Sequence, residues 1–280
     1  MNSLPVSIAP NEAEVAGLSA ADRAVLRDAV FKLEHTSFAL RLWQALGRQI
    51  DRLGKLVPAE VGGVIDHAAD AAIKAALRAA LRTLGPRSAG ERRLLHKAVA
   101  TLSGAVGGAF GVASLPVELP FSTVVMLRAI AAIAQAEGED LAAPETAFAC
   151  LQVFALGTGR QDEQFLEGGY FAVRSILAKS VSEAARFVVE RGLAEESAPV
   201  IVRLVSQIAT RFGVVVSQKI AAQAVPLIGA AGGGGVNYAF IDHFQTIAQG
   251  HFAVRRLERL YGADLVRAEY DRLLSEGLER

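Results

Sequence analysis

Cysteine, aromatic residues and surplus charge of either sign are all scarce in this 280-residue chain, and each scarcity excludes something. A single cysteine, Cys150, can neither close an intramolecular disulfide nor build a cysteine metal cluster. Set in FACLQVF, it reads as a small buried apolar group. Lys plus Arg and Asp plus Glu are 29 each, so the net charge is zero. That argues against nucleic acid as a partner, because general binding to phosphates needs an excess of cations to displace counterions. Aromatics are only 6% although hydrophobic residues reach 52%. The apolar content is mostly Ala, Val and Leu, which suits closely packed helices better than a sheet core. The opening MNSLPVSIAPNEAEV has no basic stretch followed by an apolar one, so a secretory leader is not expected and a cytoplasmic location is. Catalytic signatures are missing too, with no serine in a GxSxG setting and no HxxxH pair.

What is present is length enough to bury a large core and two long, nearly uncharged stretches rich in Gly and Ala. The first runs from Ala98 to Ala136, with Glu118 and Arg128 as its only charges. The second runs from Gly213 to Ile241, with Lys219 alone. Such segments must be buried in a core, against another chain or against lipid. The mean hydropathy of +0.32 keeps membrane contact in view.

The patterning is helical throughout. Residues 1–18 form an irregular tail, and Ser19-Ala-Ala-Asp22 is a helix start with a serine cap and an acid at the third position. Apolar residues then recur at helical spacing until Pro58. A second helix is expected over about 60–84, with Ile73, Leu77, Ala80 and Leu81 on one stripe and Lys74, Arg78 and Arg82 on another face. That basic face reads as solvated, or more sharply as a surface for anionic headgroups. Further helices are expected over 91–115, 121–136, 145–156, 170–191, 198–224, through Phe240, Phe244, Ile247, Phe252 and Leu257, and over 264–276. Pro116 and Pro120 mark LPVELP as a turn, and 157–169 reads as an exposed loop. The expected fold is a single all-α domain over residues 19–280, with about eight to ten helices and the Gly-rich ones at its centre.

LPVELP, MLRAIAAIAQAEGEDL and CLQVFALG lie in order over residues 115–157, GYFAVRSILAK follows, and ATRFGVVVSQKIAAQAVPLIGAAGGGGVNYAFIDHFQTIAQGHFAVRRLERLYG closes the series. Together these blocks resemble the EcsC protein family over roughly residues 94–272, while the first 90 residues match loosely. The resemblance implies a bacterial cytoplasmic or membrane-proximal protein. It supplies no catalytic residues.

Gly104, Gly107, Gly108 and Gly111 fall on one side of a helix. Each costs about 1 kcal/mol against Ala, so the stripe reads as a surface where another backbone, such as the second Gly-rich stretch, approaches closely. A span over Ala98 to Leu119 is the membrane alternative, long enough at about 20 residues but weakly apolar. GAAGGGGVNY could cradle phosphate before a helix, yet it lacks the strand and GK[ST] of a P-loop.

The strongest polar constellation is Asn237, Asp242, His243, His251 and Arg255, embedded among Phe240, Phe244, Ile247 and Phe252. Polar groups there must be paired, and Glu118 or Arg128 are the expected partners. Sealed, these groups form a core network; convergent on a cleft, they form a ligand site with Arg255 holding an anion. No cofactor or metal is expected, since three or four convergent ligands are not evident. The expected function is a non-enzymatic, membrane-proximal accessory or binding protein whose partner is a lipid, a membrane protein or a second copy of the chain. The alternative is a hydrolase-like small-molecule enzyme built on the same cluster.

Overall fold

The computed structural model describes residues 17–35, 38, 59–83, 115–158, 169–191, 198–223 and 233–278. The described residues form eight α-helices and no strand: α1 (Ala20–Glu34), α2 (Ala59–Thr83), α3 (Leu115–Ala136), α4 (Pro144–Leu156), α5 (Tyr170–Arg191), α6 (Pro199–Gln223), α7 (Gly233–Tyr261) and α8 (Ala263–Leu278). The chain is all-α, as its apolar spacing requires. Local chemistry sets the ends. The Ser19 hydroxyl accepts the Asp22 amide at 3.1 Å and caps α1. Gly138 and Gly262, at φ of 80° and 87°, supply the left-handed residues that follow α3 and α7. Pro144 opens α4, where its missing N–H costs nothing.

LPVELP is not a turn. It forms the first turns of α3, with Pro120 inside the helix. A proline so close to the N-terminus forfeits only one ladder bond, and the Thr123 hydroxyl occupies the neighbouring Leu119 carbonyl at 2.7 Å. Val214, Val215 and Val216, although β-branched, lie within α6.

Around α4 the other elements are layered. It packs on α2, α3, α5, α6 and α7, and every residue from Thr146 to Leu156 is buried. A helix apolar on all sides belongs in the core. Cys150 sits there fully enclosed, and desolvation pushes its thiol up to about 12. Elsewhere small residues let backbones approach. Ala69, Ala72, Ala76 and Ala80 of α2 are wholly buried where α3 and α6 pack against it. On α7, a Cβ at Gly250 would lie 2.8 Å from Leu33 Cγ and 3.3 Å from the Ala29 carbonyl oxygen, so α1 sits almost on the glycine. The stripe of Gly104, Gly107, Gly108 and Gly111 lies outside the described residues, as does the 84–114 segment that carries it. Lys74, Arg78 and Arg82 form an exposed face, with Lys74 paired to Asp70 at 2.6 Å.

Candidate functional site

The polar residues of α7 do not converge; the helix delivers them to different neighbours. His243 is fully buried, and its Nε2 donates to the Gly157 carbonyl at 2.7 Å. Only glycine allows that approach, since a Cβ at position 157 would lie 2.5 Å from the Phe244 ring. Gly157 and Thr158, expected at the start of an exposed loop, are therefore buried. Asn237 and Asp242 are half-buried, and the Asn237 Oδ1 is enclosed without a hydrogen bond among the described residues.

His251, two turns beyond His243, is also fully buried and faces α5, where its Nδ1 meets the Tyr170 hydroxyl at 2.9 Å. Arg174 Nη1 donates to that same oxygen at 3.2 Å, so the phenol proton points to Nδ1. The imidazole is then neutral with its proton on Nε2, a tautomer assigned from this network. Burial, together with Arg174 and Arg255, holds its pKa well below the usual 6.5. The network runs on. Arg174 forks onto Glu258 at 2.7 and 2.6 Å, and Glu34 accepts the Tyr170 amide and the Tyr270 hydroxyl, each at 2.9 Å. The Glu34 carboxylate thus sits at the N-terminus of α5, where the exposed amides favour a negative charge. Burial alone would lower the Arg174 guanidinium, but Tyr170 and Glu258 outweigh it and hold it above its ordinary value. Desolvation raises the Tyr170 phenol to about 12.

Glu118 and Arg128 are the partners expected for these residues, and the ion pair seen for Glu118 is with another residue. Glu118 of α3 pairs with Lys219 of α6 at 3.0 Å, and the ammonium also lies 4.8 Å from the centre of the Phe240 ring. Lys219 is only 2% exposed. The one acid of the first Gly-rich stretch and the one charge of the second thus neutralise one another. Arg128 is half-buried, its Nε is enclosed without a hydrogen bond among the described residues, and burial lowers its pKa.

Arg255 lines a cavity. Its Nε and Nη2 clasp the Glu139 carboxylate at 2.8 and 3.0 Å, and Arg259 also engages Glu139. Burial would raise the Glu139 carboxyl, but the two arginines outweigh it and leave it below its ordinary value. The cavity, about 340 Å³, lies between α4, α5 and α7. Arg174 and Arg255 reach it from the protein side, with Arg186, Ser182 and Glu145 exposed at its rim. Gln152 of α4 lines it while only 4% exposed. Sequence reasoning found Arg255 but missed Gln152 and Arg174. Gln152 falls inside an apolar run and Arg174 in an ordinary amphipathic helix, so neither carries a local signal.

The sequence model of the EcsC protein family matches residues 26–257. No curated protein and no solved structure matches the chain. The family match reaches back into α1, well before residue 94, so the N-terminal helices are part of the family unit. This chain belongs to the EcsC protein family.

Proposed function

We propose that this EcsC-family chain is a non-enzymatic accessory protein that lies against a bilayer and contacts lipid through its apolar helices. The observation that carries this reading is the mismatch between apolarity and burial in α3 and α6. Their most apolar 18-residue windows have mean hydropathies of 1.7 and 1.5, yet only 39% and 50% of those windows are buried. Val117 of α3 is 79% exposed. A core helix of that composition would be covered, as α4 is. Peripheral contact fits better than spanning, because the Lys219–Glu118 pair ties α6 to α3 inside the protein. An amphipathic surface helix binds in the headgroup region by burying one apolar face. The hydrolase-like alternative gains nothing from His243 and His251, both sealed from solvent.

Vesicle flotation tests the proposal. The expected result is co-flotation with phosphatidylcholine vesicles containing an anionic lipid, and release from native membranes by alkaline carbonate. A chain that ignores every vesicle composition and sediments as a dimer supports self-association instead. Retention in the pellet after carbonate overturns peripheral attachment.

A further inference from the structure

We propose that the cavity between α4, α5 and α7 binds a phosphate monoester through Arg255, Arg174, Arg186 and the Gln152 amide. Three features point to an anion. Three guanidinium groups line a single cavity, with Glu145 the one acid among its lining residues. Two of the guanidinium groups are already oriented by a carboxylate, Arg255 by Glu139 and Arg174 by Glu258. Glu139 binds Arg255 through Nε and Nη2, which leaves the Nη1 donors of that arginine uncommitted among the described residues. A guanidinium fixed in this way is pre-organised for the oxygens of a phosphate. The exposed Arg186 has no ion pair among the described residues, so it can close over a bound group without breaking one.

The fourth feature is Gln152. A polar side chain stands here, inside an otherwise apolar helix, where Leu would fill the same space. It faces the cavity that the arginines line, where it can donate to a phosphate oxygen or receive a ligand hydroxyl. Ala149 and Val181 supply an apolar wall for a short carbon segment. The volume suits a small ligand, lying at the lower end of the ~300–1,000 Å³ usual for such sites. The ester could be a free metabolite or a lipid headgroup, since both present the same terminal phosphate.

Calorimetric titration of the full chain with inorganic phosphate and with glycerol 3-phosphate distinguishes these sources from a third arm. That arm is flotation with phosphatidylcholine vesicles with and without phosphatidic acid. Arg186→Gln and Gln152→Leu are the informative variants. Arg186 is exposed and has no ion pair among the described residues, so its replacement leaves the thermal midpoint unchanged, and Gln152→Leu keeps the side-chain volume and leaves the midpoint unchanged too. Each should weaken binding by about tenfold, the loss expected for one charged or buried hydrogen bond. Binding of either soluble phosphate, weakened in both variants, assigns the site to a free ester. Binding confined to phosphatidic acid vesicles, again weakened in both, assigns it to a headgroup. No binding in any arm, or binding that both folded variants leave intact, overturns the proposal. A chain that binds soluble phosphate but never floats keeps this site while removing the bilayer reading.

Discussion

Replacing Glu118 by Gln leaves the Lys219 ammonium enclosed with only a neutral amide and the Phe240 ring for company. Breaking a fully buried ion pair by removing one partner costs about 3–5 kcal/mol. Two features reduce that figure here. The Glu118 side chain keeps 18% of its surface, so water reaches the pair. The cation also retains the ring face at 4.8 Å, a contact worth about 0.5–2 kcal/mol. Glu118→Gln should therefore destabilise by about 2–3 kcal/mol. At ~2–4 °C per kcal/mol, the thermal midpoint should fall by about 4–12 °C. Lys219→Met keeps the apolar stem and leaves the carboxylate, which is the better hydrated partner, so its cost should be about 1 kcal/mol. The double variant should resemble Lys219→Met, giving a coupling of about 2 kcal/mol in denaturant titrations followed by circular dichroism. Single effects that simply add in the double variant would refute the claim that these two charges depend on each other.

The buried neutral His251 should make stability depend on pH. Its folded pKa lies below the unfolded value of 6.5, so the unfolded chain takes up a proton that the folded one refuses. Stability is then complete above about pH 6.5 and falls as pH drops below it, by at most ~1.4 kcal/mol per pH unit; an identical acid slope in wild type and His251→Gln would contradict this. Tyr170→Phe removes the hydroxyl shared by His251 and Arg174 and should cost about 1–3 kcal/mol in denaturant titration; no change in midpoint would mean the bonds carry no net stability. Gly250→Leu must displace Leu33 and press on the Ala29 carbonyl, and should destabilise by about 1–3 kcal/mol or more. At Gly63 a Cβ would meet nothing within 4 Å, so Gly63→Ala should stabilise by about 0.5–1 kcal/mol; equal effects at the two glycines would undo the packing argument.

Ser19 with Asp22, the proline and glycine punctuation, and apolar residues at helical spacing by themselves determined where α1 begins and where α2, α5 and α8 lie, while the end of α1 at Glu34 was not legible in a helical spacing that runs on to Pro58. These are local signals, set by a cap or by which face of one helix is apolar. The burial of Cys150 was legible for the same reason, since its neighbours are all apolar. The proline reading failed at LPVELP because a proline is compatible with a turn and with the first turns of a helix alike. Partnership was settled only by the tertiary structure. Glu118 and Lys219 lie 101 positions apart, and no spacing rule connects them. The histidines that look like one constellation along α7 face different neighbours, because that helix is packed on several sides at once. The cavity depends on three helices meeting, and its arginines and Gln152 gain a common purpose only there. Sequence pattern reports which face of a helix is apolar. Which polar groups meet is decided by how helices dock, and docking is a property of the whole chain.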